Sequence, residues 1–242
     1  MKKTYLKYIA TLLILFISFY THAQKQFVID PDAVLREISG SFTSVKVSSG
    51  IHVFLSRAEN EVLAVSASED KYREGIKTEI TDAVLHIFYK GYKIRYGTNF
   101  KMNVYVGYKK LEQLQASGAA NILIAGVLEQ PVLNIQLSGA SELKGHVKVT
   151  DLNMKLSGAS EAKITGTVKN INIESSGASD VKAYELIAEN CNVKASGASD
   201  VNITVTNDMA ANASGASNVY YKGTAELKLK QTSGASSVAR VQ

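Results

Sequence analysis

The 242-residue sequence contains one cysteine, Cys191, no tryptophan, and two prolines, Pro31 and Pro131. A single thiol cannot close an internal disulfide, so an exported chain of this composition must be held together by packing. The four histidines, His22, His52, His86 and His146, stand isolated. No HxxxH or similar pair is there to hold zinc. No stretch beyond residue 23 is apolar and long enough to cross a bilayer as a helix. Charge of one sign is scarce too. There are 27 Lys and Arg against 22 Asp and Glu, and Lys2, Lys3 and Lys7 all lie in the first 23 residues. Without those three, 24 basic residues face 22 acidic ones, a net charge of +2 that gives no footing for nucleic-acid binding.

The first 23 residues read as a signal peptide. A basic start is followed by the apolar run Ile9 to Tyr20, and Thr21-His22-Ala23 forms a small-residue cleavage site. The rival reading is an uncleaved N-terminal anchor, against which the short run and its cleavable end argue, and Gln24 rather than a cysteine follows the cut, so a lipoprotein anchor is not expected. The mature chain is expected to be exported to the cell surface, the periplasm or the medium, with no transmembrane segment.

What the sequence has in abundance is one small-residue word. SGAS, or SGAA in the first copy, begins at Ser117, Ser138, Ser157, Ser176, Ser196, Ser214 and Ser233. The intervals are 21, 19, 19, 20, 18 and 19 residues. Aligned on this word, the columns are apolar at regular places. Two places after it come Ile122, Leu143, Ala162, Val181, Val201, Val219 and Val238; three places before it come Leu114, Ile135, Met154, Ile173, Val193 and Ala211. Five places before it stand Leu133, Leu152, Ile171, Cys191 and Met209. The period of two means strands with one buried face. A unit of about 19 residues cannot bury that face alone, but stacked units can, and the period is too short for a propeller blade. The predicted fold is an all-β solenoid, a β-helix with rungs of about 19 residues. Leu227 and Leu229 fall one place early, which predicts a bulge in the last copy.

The recurring word is then a corner. Gly118, Gly139, Gly158, Gly177, Gly197, Gly215 and Gly234 supply positive φ at each bend, and the serines supply hydroxyls for the stacked backbone. A nucleophile elbow is the rival reading, but it needs one special serine with histidine and acid partners, and seven equivalent serines have no histidine column. Upstream, residues 42–55, 62–68, 76–89 and 102–108 alternate like strands, and Ser49-Gly50 resembles a degenerate corner. The division expected is a signal peptide over 1–23, a lead or cap over 24–39, and one solenoid domain over 40–242, irregular to residue 110 and regular from 111. Helix is scarce, and the best candidate is Asp32 to Ile38.

With "GSFTSVKVSSGIHVFL", "LQASGAANI" and the ladder of copies such as "SGASDVKA" in view, the chain resembles the bacterial putative autotransporter adhesin, head GIN domain family, over roughly Ser39 to Val241. The resemblance implies a right-handed β-helix-like fold and a surface or adhesion role. It brings no catalytic residues. The family's name implies a passenger on an outer-membrane barrel, for which the residues after Gly234 leave no room.

Two groups of residues stand out as candidate sites. Asn121, Glu142, Glu161, Asp180, Asp200 and Asn218 form a column just after the corner, with Lys144, Lys163 and Lys182 two places on. Stacked carboxylates are a possible cation site, but the lysines favour a mutually neutralising outer face, and no metal or other cofactor is assigned. The second group lies in His86 to Leu111, rich in tyrosine and lysine and free of acid. Tyr89, Tyr92, Arg95, Tyr96, Lys101, Tyr105 and Tyr108 are expected as a ligand-contact patch, against the alternative of an ordinary tyrosine-rich hairpin. Cys191 shares a column with leucine and isoleucine, which reads as a buried thiol. The function expected is a non-catalytic, adhesin-like binding module of the envelope, whose partner is a glycan, a host-surface component or an envelope protein. The alternatives are a polysaccharide lyase or hydrolase on a β-helix, which needs a carboxylate pair, and a structural scaffold of an envelope complex.

Overall fold

The computed structural model describes residues 30–93 and 100–242. The chain winds into a β-solenoid of about seven turns. Five strands each run nearly a whole rung: β9 Asn121–Leu137, β10 Glu142–Leu156, β11 Glu161–Ser175, β12 Asp180–Ala195 and β13 Asp200–Ala213. Each pairs in parallel with the next, so every rung satisfies its backbone on its neighbours.

The predicted apolar columns are the inner ladders. Leu143 sits between Ile122 and Ala162, and Leu152 between Leu133 and Ile171. Met154 sits between Ile135 and Ile173, and all of these side chains are buried. One core cluster runs from Phe42 to Val238, so the interior is filled with side chains.

The corner is itself hydrogen-bonded between rungs. The Ala178 N–H donates to the Gly158 carbonyl and the Ala198 N–H to the Gly177 carbonyl, both at 2.7 Å. The seven motif glycines hold φ between +71° and +76°, where other residues are strained. A Cβ on Gly158, Gly177 or Gly197 would lie 2.6 Å from the carbonyl oxygen of the glycine one rung before, so these glycines stack directly over one another. The last serine is also accounted for in the copies that carry one, Ser199 by the Ser175 carbonyl of the preceding rung at 3.3 Å. Ser160, Ser179 and Ser217 hydroxyls donate to the carbonyl of the first serine of their own copy at 2.8–3.0 Å.

Differences in rung length are absorbed away from this corner. Register shifts fall between Lys144 and His146, between Lys163 and Gly166, and between Ala183 and Ile187, on the side after the motif. The expected slip in the last copy is a bulge at Lys228: Met209 pairs with Leu227, and Ala210 pairs with Leu229.

The irregular rungs share the same sheet. β2 Ser44–Val47 pairs in parallel with β6 Val84–Tyr89 and β8 Gln113–Ala116, and β3 His52–Arg57 pairs in parallel with β7 Met102–Tyr108 and with β9. Ser49 and Gly50 both have φ near +67°, and Gly118 stacks over Ser49. The N-terminal end is closed by antiparallel strands: β1 Val34–Arg36 on β4 Val62–Ala67, β4 on β7, and β5 Ile76–Thr81 on β6. The helix expected at Asp32 to Ile38 is therefore strand β1. Pairing of Val34 with Val65 and of Arg36 with Leu63 decides it over local propensity. The helix that does form, α1 Asp70–Gly75, is one short turn-and-a-half between β4 and β5.

Candidate functional site

The acid and lysine columns form one outer face. Glu142, Glu161, Asp180 and Asp200 lie in strict succession, with Asn121 before and Asn218 after them. Lys182 Nζ lies 2.6 Å from Glu161 and 3.3 Å from Asp180, and Lys144 pairs with Glu142. Hydrogen bonds to Glu142 and Glu161 are the main reason the two ammonium groups titrate above their ordinary range. Among the described residues, no group of three or more His, Cys, Asp or Glu is placed to hold a metal ion.

The tyrosine-rich segment does not form one surface. No β6–β7 hairpin exists, because the two strands pair with different partners. Tyr105 is 7% exposed and stacks on Phe54 at 5.1 Å, and Tyr108 is 1% exposed. Burial, weakly opposed by Arg57, pushes the Tyr108 phenol up to about 12. Tyr108 belongs to the core cluster, and Tyr105 is covered on the other face of the strand, against Phe54. Tyr89 is half-buried and its hydroxyl donates to the Tyr92 carbonyl at 2.8 Å, while Tyr92 and Lys101 are exposed. Arg95 and Tyr96 lie outside the described residues.

Three features escaped the sequence reading. The first is a pair of amide ladders. Asn172 donates to Asn153, and Asn153 to Asn134, at 3.0 and 3.1 Å. Asn207, Asn190, Asn170 and Asp151 form a second chain with bonds of 2.8–2.9 Å. The signal was there in the columns four and six places before the corner, with Asn207 one place further from it. The second is Tyr184, pushed out by the register break between Ala183 and Ile187 and lying beneath the Lys222 ammonium at 5.1 Å. Its mark in the sequence is the 20-residue interval between Ser176 and Ser196.

The third is a groove of about 750 Å³ that follows the solenoid axis beside the corner. One wall is the row of first serines of the motif, including Ser138, Ser157, Ser176 and Ser196. The opposite wall is the column two places before them, running Lys46, Gln115, Gln136, Lys155, Glu174, Lys194 and Asn212, each paired with the next. Lys155 and Glu174 are joined at 2.9 Å, and this bond holds the Glu174 carboxyl below its ordinary range.

Cys191 is buried, and loss of solvation raises its thiol pKa. Thiol reagents are expected to leave the native protein unlabelled and to modify the chain at one position once it is unfolded. Rapid labelling of the folded protein, followed by mass spectrometry, would show the assignment to be wrong.

These elements define a β-solenoid with a filled core and outward columns that repeat rung by rung. The chain belongs to the family described as putative auto-transporter adhesin, head GIN domain, which matches residues 41–225. None of the curated proteins compared with the chain matches it. Its fold is similar to the crystal structure of a putative adhesin from Bacteroides fragilis, at 18% identity and TM-score 0.75, covering 88% of this chain and 98% of that one. A putative adhesin from Parabacteroides merdae is 20% identical with TM-score 0.67, and a putative lipid binding protein from Parabacteroides distasonis is 19% identical with TM-score 0.65. Each of these also covers 88% of this chain and 98% of its own. The family is adhesin-like, in keeping with an extracellular or envelope location. No helix of the described residues is long and apolar enough to cross a membrane.

Proposed function

We propose that this chain is an exported, non-catalytic, adhesin-like binding module of the cell envelope. Residues 1–23 act as its signal peptide, 24–39 as a lead, and 40–242 as one solenoid domain. The observation that carries this reading is the repetition of the outer columns. Parallel pairing sets equivalent side chains about 4.8 Å apart along the axis, so a partner with repeating groups meets the same chemistry at every rung. Many weak, equivalent contacts give binding by avidity. The carboxylates nearest to a catalytic arrangement, Glu142, Glu161 and Asp180, are instead engaged by Lys144 and Lys182. Adhesin-like family membership supports the same reading.

Two measurements, one on intact cells and one on the purified protein, test this. Protease applied to intact cells should digest the protein, and the purified protein should release no reducing or unsaturated sugar from a polysaccharide panel. Full protection on intact cells would remove the surface role. Sugar release that Glu161→Gln abolishes would make the protein an enzyme.

A further inference from the structure

We propose that the axial groove beside the serine corner is the binding site for a linear acidic polysaccharide, lying along the solenoid with about one sugar per rung. The inference rests on the binding-module reading and assigns that module a surface and a ligand class.

The first serine of each motif is the starting point, because the fold does not account for it. The glycine is required by positive φ and by the close approach of the rungs, and the last serine ties its own corner together. The first serine makes only long contacts. Ser138, Ser157 and Ser176 hydroxyls lie 3.5, 3.5 and 3.3 Å from carbonyls of the preceding rung, at the outer limit of a hydrogen bond. These side chains are only half-buried, so a row of weakly engaged hydroxyls faces the groove at every rung.

The facing wall is built from long polar side chains. On the acid face Lys144 and Lys182 are held by carboxylates. In the groove Lys155 and Glu174 neutralise each other, while Lys46 and Lys194 make no ion pair among the described residues. The groove thus carries excess positive charge at two separated rungs, with two glutamines and the Lys155–Glu174 pair between them. Its floor is the main chain of the rungs at Leu137, Leu156 and Ala195, whose side chains are buried beneath it. Hydroxyl and amide walls suit the hydroxyl edges of successive pyranose rings. Spaced lysines suit spaced carboxylates.

The geometry disfavours other polymers. From the Lys46 rung to the Asn212 rung there are six steps of about 4.8 Å, roughly 29 Å in all. A peptide lying along the axis advances about 3.4 Å per residue and falls out of step with the rungs. A single-stranded nucleic acid needs aromatic platforms and a denser basic track than this groove provides.

The test uses the full chain and oligomers of polygalacturonate of increasing length, with linear mannan oligomers as the uncharged counterpart. Affinity for polygalacturonate should rise with length and level off at about seven units, matching the seven rungs of the groove. The double variant Ser157→Ala/Ser176→Ala should unfold at the same temperature as the parent and bind about tenfold more weakly or worse. Lys194→Gln should weaken polygalacturonate alone. Lys144→Ala, on the other face, should change nothing. Retention that persists in the folded double variant, or that Lys144→Ala removes, would overturn the groove while leaving a binding module. Equal affinity for mannan, or no affinity for polygalacturonate, would overturn the ligand class. Capture of a protein or nucleic acid instead would do the same. Protease protection on intact cells, by contrast, would count against the surface role and not against the groove.

Discussion

Gly177→Ala is expected to lower the unfolding free energy by about 3–5 kcal/mol, whereas Gly126→Ala should cost about 1 kcal/mol. Both glycines have positive φ, +76° and +80°. They differ in surroundings. A Cβ on Gly177 would sit 2.6 Å from the Gly158 oxygen and 3.0 Å from its nitrogen, whereas one on Gly126 meets nothing within 4 Å. Main chain on both sides of the clash cannot turn aside as a flexible side chain would. The corner must therefore open and strain the 2.7 Å bond from Ala178 to Gly158. Urea unfolding of the two variants separates the effects. Equal losses would mean that backbone conformation alone, and not contact between rungs, makes glycine necessary.

Leu152→Ala is the second large effect, a loss of about 3 kcal/mol. Leu152 is fully buried between Leu133 and Ile171, and neighbours held in register above and below cannot collapse into the space. Leu229→Ala, at 47% exposure on the edge strand β15 Glu226–Thr232, should cost no more than about 0.5 kcal/mol. A small loss for Leu152 would indicate a pliable interior, unlike the close-packed column seen here.

Much of the fold was legible because translation along one axis converts sequence spacing into contact. Once Ser138 is set over Ser117, the partners of Leu143 or Leu152 follow by counting. The slip at Leu227 was readable by the same rule. Legibility fails where this translation ends. The pairing of Val34–Arg36 with Leu63–Val65 is antiparallel and non-local, and no spacing encodes it. The helix Asp70–Gly75 is too short to show a period and has no side-chain cap. For the candidate site, composition misled. Tyrosine and lysine cluster in the sequence between His86 and Leu111, yet Tyr108 points into the core and Tyr105, on the other face of β7, is covered beside Phe54, because β7 lies between β3 and β4. The groove was hidden for the opposite reason. Its serines are part of the corner word, and only the hydrogen-bond lengths separate the first serine from the last.

Because the register shifts stay away from the corner, each regular corner meets the corners before and after it through the same contacts. An inserted copy of one 19-residue unit would leave the cross-section unchanged and extend the rod by about 4.8 Å. Reach is therefore a matter of copy number. Duplication or loss of a single unit changes how far the protein extends without redesigning anything inside it.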